Sequence, residues 1–232
     1  LIIISQINNM KKNNKIYWNN FYKKIKSSTF WPWSDLISLT SRYVKTNFKN
    51  MKVLEIGVGN GANIPFFLQK KCKFYGVDSS DFIIKFLKKR FPTLKKNLFA
   101  GNFEDMSISK QKFDLIYDRG AISCGNDQEK ITKIIKIINF YLKKNGYFIG
   151  VDWYSKNSSY YKDKLKKDKL KNFYAFKTGP FKNLGNIFFS NKKDLLTNFK
   201  NFKILHLDEK KTTNNLKKKS HTFSSWNIVV KK

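Results

Sequence analysis

The run Glu55-Ile-Gly57-Val-Gly59-Asn60-Gly61, directly after the apolar Val53-Leu54, is where this chain is best equipped for chemistry. Glycines at alternate positions allow a tight turn and a close approach of backbone to a ligand, because they carry no Cβ. A carboxylate at the strand tip beside the first glycine repels a pyrophosphate and attracts an ammonium group. A second acid, Asp78, ends Lys73-Phe-Tyr-Gly-Val-Asp78, about 20 residues past the turn, the spacing of a ribose-hydroxyl acceptor on a second strand. Ser79 follows it. Asn102-Phe103, Asp118-Arg119 and Asp152-Trp153 are the other places where polar or aromatic groups follow apolar runs.

These residues need elements to hold them. Val53, Leu54 and Ile56 read as a buried strand, and Asn63 to Gln69 starts a helix whose N-terminal amides face the ligand. The alternation continues with strands at Lys73–Val77, Asn97–Ala100, Phe113–Tyr117 and Tyr147–Val151 and helices at 63–70, 80–90 and 127–143. Ile131, Ile134, Ile135 and Ile138 share one face of the last helix, a core stripe. This order predicts an α/β fold, a Rossmann-like, mostly parallel sheet with helices on both faces. Ligands then bind outside the carboxyl ends of the strands, which puts Glu55, Asp78, Asn102, Asp118 and Asp152 on one rim.

Residues 1–50 read as a helical extension, with Tyr17, Trp18, Phe21 and Tyr22 as aromatic anchors and Trp31-Pro-Trp33 after them. Ser34-Asp35 is placed to cap a helix from Leu36 towards Val44. Trp31, Trp33, Trp153 and Tyr154 are candidates for a lid over the rim. An irregular stretch at 152–186 precedes a helix near Lys192–Phe199 and strands at Phe202–Asp208 and Ser225–Val230. Residues 51–232 form the main domain.

Gly57, Gly59 and Ala62 also satisfy the dinucleotide fingerprint, and Glu55 argues against it. S-adenosylmethionine (SAM), with an α-ammonium and a sulfonium and no phosphate, suits an acid–glycine–acid pocket. At this point the chain resembles class I SAM-dependent methyltransferases, from about residue 50 to the C-terminus. Val53–Gly61 resembles their first motif, Gly76-Val-Asp78-Ser-Ser80 the second, and Gly101–Asp105 the adenine segment, where Asn102 stands in place of the usual Asp. Phe113–Ala121 resembles the fourth strand and its tip, and Leu142–Asp152 the following helix, glycine turn and fifth strand. The resemblance implies a seven-stranded sheet with an antiparallel C-terminal end. It implies a cofactor site of Glu55, Gly57, Gly59, Asn60, Gly61, Asp78, Ser79, Asn102, Phe103 and Asp118. Asp118, Arg119 and Asp152 are the candidates for orienting the acceptor or taking its proton. Trp31-Pro-Trp33-Ser-Asp-Leu and Asp118-Arg-Gly look most like small-molecule enzymes, of the thiopurine and tellurite-resistance type or of surface-polysaccharide clusters.

Composition narrows the partners. The net charge is +31, yet of 47 basic residues only Arg42, Arg90 and Arg119 are arginine. Proteins that read bases lean on arginine's planar fork, whereas abundant Lys, Asn, Ile, Phe and Tyr reflect the codons of an A/T-rich genome. Nucleic acid is therefore disfavoured as a partner, and a positive field still draws anions. Cys72 and Cys124 give no disulfide framework, which suggests a reducing, cytoplasmic compartment, and two histidines, His206 and His221, exclude a histidine-rich metal site. The opening Leu-Ile-Ile-Ile is too short to span a bilayer, and Met10 is a candidate natural start. The chain is expected as a monomer or homodimer that moves a methyl group from SAM to a sugar-like or anionic small molecule. Against an RNA or protein methyltransferase stand the missing Pro-Pro-aromatic run after Asp118 and the missing paired-glutamate loop; a non-catalytic nucleotide-binding protein is the remaining alternative.

Overall fold

The computed structural model describes residues 15–24, 31–105, 111–161, 176, 181, 184, 187–216 and 221–232. The lysine runs at 162–171 and 217–219 lie outside them. Seven strands form one sheet: β1 (Lys52–Ile56), β2 (Lys73–Asp78), β3 (Leu98–Ala100), β4 (Phe113–Arg119), β5 (Leu142–Tyr154), β6 (Lys203–Asn214) and β7 (His221–Lys231), in the order β3-β2-β1-β4-β5-β7-β6. The first five pair in parallel, and β7 runs antiparallel to both β5 and β6. The chain winds outward from β1 through β2 to β3, then crosses to β4. That reversal makes the carboxyl ends of β1 and β4 the place where a ligand has room to enter.

Strand periodicity builds both cores. Val53, Leu115, Tyr117 and Ile149 point to one face, where they meet Leu36, Phe67, Ile83 and Leu87 from α2 (Ser34–Tyr43), α3 (Ile64–Gln69) and α4 (Asp81–Arg90). Leu54, Ile116, Phe148 and Ile228 point to the other, against the isoleucine stripe of α5 (Gln128–Tyr141) and Leu195 of α6 (Lys192–Asn198). Two covered faces explain why the parallel strands read as continuous apolar runs. Polar caps set the helix starts: the Ser80 side chain accepts from Ile83 N, Asp127 from Lys130 N, and Asn191 and Asp194 form a reciprocal capping box.

Several boundaries differ from the sequence expectation. In α2 the N-cap is Trp33, with no side-chain cap bond, so Ser34 opens the helix instead of capping it. β6 and β7 run well past their apolar centres into a hairpin arm whose partners include Thr213 and Thr222. β5 carries an irregularity between Gly150 and Trp153, where Asp152 takes a left-handed backbone with φ 56°. A helix over 15–24, α1, lies across the carboxyl end of the sheet: Asn19 Oδ1 accepts from Ser80 Oγ at 2.6 Å and Phe82 N at 3.2 Å, and Lys15 pairs with Asp81 at 2.5 Å.

The loop after β4 and the glycine turn after β1 touch where Gly57 has no room for a side chain. Gly57 has φ +71°, and a Cβ there would fall 2.2 Å from Ala121 Cβ. Gly57→Ala is expected to lower stability by about 1–3 kcal/mol from backbone strain plus the steric overlap. Ala121→Gly in the same chain should restore the steric part and leave the strain. Urea unfolding of the two single variants and the double variant measures this coupling, and an unchanged midpoint in Gly57→Ala contradicts the geometry.

Candidate functional site

A cavity of about 690 Å³ opens at the carboxyl ends of β1, β2 and β4. This is an ordinary size for a small-molecule site. Its walls bring together Glu55, Gly57, Gly59, Asn60, Asp78, Ser79, Asn102, Phe103 and Arg119, along with Trp33. α1 supplies Trp18, Phe21, Tyr22 and Lys23 to the same cavity.

Three acids at the strand tips are almost fully buried, and each is handled differently. Asp78 accepts from Gly59 N at 2.9 Å through Oδ2 and from Ser80 N at 2.9 Å through Oδ1. It thereby ties the glycine turn to the start of α4 while still facing the cavity. Burial pushes its carboxyl up to about 6, opposed by those two N–H groups. Asp118 accepts from Ile122 N at 3.0 Å and from Trp153 Nε1 at 2.8 Å. Burial raises it to about 7, against the same bonds.

Glu55 is the exception. Its Oε1 accepts from Asn63 Nδ2 at 2.7 Å, and the same Asn63 accepts from Trp33 N at 3.1 Å. Burial pushes the carboxyl up to about 8; Asn63 and the nearby Tyr117 hydroxyl hold it down, and Asp118 and Asp78 push it further up. The Tyr117 hydroxyl is close enough to favour the anion but misses hydrogen-bond geometry. Oε2 is thus the only buried carboxylate oxygen without a partner among the described residues. An orphaned buried acceptor is costly, and Glu55 is one of the residues that line the cavity.

Not every predicted site residue reaches the cavity. Gly61 turns away: a Cβ there would meet Leu87 Cδ2 at 2.7 Å, so this glycine serves the packing of α4. Asp118 has no exposed surface and does not line the cavity: one oxygen holds the loop that carries Ala121 and the other accepts from the Trp153 indole. Its expected part in orienting the acceptor or binding the cofactor is corrected to a structural one. Trp153 is also fully buried, packed on Phe148 and Phe199 at 6.1 and 5.7 Å, and is no lid. The kink at Asp152 turns the indole inward. Asp152 pairs with Arg119 at 2.7 Å and Lys210 at 2.9 Å and accepts from Ser225 Oγ, off the cavity wall, so it is not a proton acceptor there. Trp31 is 82% exposed and does not line the cavity. Trp33 does, with the Arg119 guanidinium 3.5 Å from its ring, a cation–π contact that fixes both. Asn63 links Glu55 to the rim tryptophan Trp33, whereas the sequence marks it only as a helix start. Its side chain could have been suspected from the rule that a buried acid needs a donor.

The chain matches a family model described as a methyltransferase domain over residues 47–202. Solved structures with the same fold include a SAM-dependent methyltransferase from Methanosarcina mazei, 17% identical over 87% of this chain and 98% of that one, with a TM-score of 0.65. A SAM-dependent methyltransferase from Anabaena variabilis is 16% identical over 95% and 94%, with a TM-score of 0.63. The magnesium protoporphyrin IX methyltransferase of Synechocystis PCC 6803, solved with bound SAH, is 11% identical over 94% and 99%, with a TM-score of 0.60. No curated protein sequence matches the chain. The chain belongs to the methyltransferase-domain family. It shares its fold with these SAM-dependent methyltransferases.

The raised carboxyl of Glu55 has a sign that experiment can read. Its ordinary value is 4.5 and its folded value about 8, so the folded chain holds the proton to higher pH than the unfolded one. The stability this gives is complete in acid and is lost as pH rises from 4.5 through about 8. Urea unfolding across that window should show wild type losing stability relative to Glu55→Gln, with the difference level above it. A difference that stays flat or grows with pH contradicts the buried, uncompensated carboxylate.

Proposed function

We propose that this enzyme moves a methyl group from SAM to a small-molecule acceptor enclosed between α1 and the tips of β4 and β5, and that it works in the cytoplasm. The observation that carries the donor half is the unpartnered Glu55 Oε2 on a glycine-turn cavity. When bound, SAM supplies a methyl group on a positively charged sulfur. Glu55 supplies the counter-charge for its ammonium group, and Asp78 is placed for the ribose hydroxyls. Asn102 and Phe103 flank the position that the family resemblance gives to the adenine.

The acceptor half rests on enclosure. α1 is anchored to α4 by Asn19 and Lys15 and lays Trp18, Phe21 and Tyr22 over the opening. Such a roof excludes water and leaves space for a small acceptor, whereas a folded polymer would have to displace it. Lining up nucleophile, methyl carbon and leaving sulfur contributes on the order of 7–11 kcal/mol, so walls that position are enough. Both cysteines are free and buried, as suits a reducing compartment. Among the described residues no helix is long and apolar enough to cross a membrane.

Two measurements test this reading. Calorimetry should show SAM binding that strengthens as pH rises towards about 8, where Glu55 ionises. Glu55→Gln should weaken it by about 1.5–3 kcal/mol, the value of a charged hydrogen bond, and flatten the pH dependence. Equal affinity in both proteins removes Glu55 from the donor site. Trp18→Ala with Phe21→Ala should raise the KM for SAM at least about tenfold by opening the roof, with the urea midpoint nearly unchanged. Wild-type kinetics in that variant would mean α1 is not a lid.

A further inference from the structure

Asn63 stands where the chain turns from the glycine loop into α3, directly before Ile64, the first residue of that helix. An asparagine there ordinarily caps the helix, its side-chain oxygen accepting from a backbone N–H of the first turn. No such bond is made. Asn63 is 2% exposed, and its amide is used elsewhere. Nδ2 donates to Glu55 Oε1 at 2.7 Å, and Oδ1 accepts from Trp33 N at 3.1 Å. All three residues line the cavity.

These two bonds fix which way the amide faces. A backbone N–H can only donate, so the atom next to Trp33 is the amide oxygen and the atom next to Glu55 the amide nitrogen. Asn63 therefore offers Glu55 a donor that cannot flip away while Trp33 stays in place. The other groups that face Glu55 make this donor matter. Asp78 on β2 and Asp118 on β4 oppose its ionisation, and the Tyr22 hydroxyl of α1 and the Tyr117 hydroxyl of β4 are the remaining titratable groups beside it. None of the four is a cation. At 2.7 Å the Asn63 contact has the length of a charge-assisted bond. It leaves Oε2 as the Glu55 oxygen without a partner among the described residues.

Trp33 is held from a second side, by the Arg119 guanidinium 3.5 Å from its ring, and Arg119 pairs with Asp152 at 2.7 Å. An amide bonded at both ends transmits polarisation between them, since hydrogen bonds in a chain strengthen one another. An ionised Glu55 draws on the Asn63 N–H more strongly, which makes Oδ1 a better acceptor for Trp33 N.

Resting on the SAM-binding reading above, we propose that Asn63 is a positioning residue: it holds the Glu55 carboxylate for the ammonium group of the donor and ties occupancy of that site to the placement of Trp33 on the cavity wall. A donor that ionises Glu55 tightens the Asn63–Trp33 bond, and a fixed Trp33 favours the donor by the same factor. The segment before α2 is thus held most firmly when the donor is bound.

The test uses the full chain and S-adenosylhomocysteine, which keeps the ammonium group and transfers nothing. Calorimetry on the wild type comes first, and binding should strengthen as pH rises towards about 8. Asn63→Leu keeps the branched shape and removes both bonds. It should move the pH profile of binding upward and weaken binding at neutral pH about tenfold, as loss of a hydrogen bond to a charged group predicts. The deficit should narrow as pH rises, whereas a merely structural Asn63 gives the same deficit at every pH. Asn63→Ala should behave alike, and the variant with the higher urea midpoint decides. Trp33→Gly, which loosens the backbone at the other end, should weaken binding several-fold in the wild type and not at all in the Asn63→Leu background. An unshifted pH profile in the Asn63 variant, or additive effects of Trp33→Gly and Asn63→Leu, overturns the inference and leaves the donor reading standing. A wild type that does not bind S-adenosylhomocysteine overturns both.

Discussion

Burying carboxylates at the ends of β1, β2 and β4 is the constraint that organises this molecule. Each such acid must find donors or stay protonated. Asp78 takes its donors from the backbone of the glycine turn and α4, and Asp118 takes one from the β4 loop and one from Trp153. These bonds fix the two loops at a distance where only Gly57 fits against Ala121. Glu55, between them in the sheet, receives a single donor from Asn63 and is pushed up by both neighbouring acids. The two loops beside the cavity are held by the satisfied Asp78 and Asp118, while Glu55 between them keeps one oxygen without a partner among the described residues.

Much of this was legible in residue type and spacing. Glu55, the glycines and Asp78 announce themselves because turn geometry and charge act over a few residues, and parallel strands covered on both faces read as apolar runs. The roles of Asp118, Asp152 and Trp153 were not legible. Position at a strand end says which rim a residue belongs to, but side-chain direction depends on register and on local kinks. Asp118 is paired in register with Ile56 and points to the interior. The left-handed Asp152 reverses the alternation that would have placed Trp153 on the rim. The long β6–β7 arm escaped because its outer half pairs through threonines and lysines, which carry no hydrophobic period.

The N-terminal segment shows the same division. Its aromatic residues identified it as something that packs, and Trp33 does reach the cavity. What sequence could not give is the chain of contacts that holds it there. Asp35 pairs with Lys210, Lys210 with Asp152, Asp152 with Arg119, and Arg119 stacks beneath Trp33. Every link joins residues far apart in the chain, so none has a local signature.

That chain of contacts also bears on the excess of positive charge. With 47 basic and 16 acidic residues the surface field is strongly positive, yet beside the cavity two cations alternate with two carboxylates and nearly cancel. Arg119 is consequently poor at seizing a free anion, since a competing carboxylate would have to displace Asp152 at 2.7 Å. The field can raise the local concentration of anions, and Lys23 and Lys130 carry that positive charge onto the cavity wall itself.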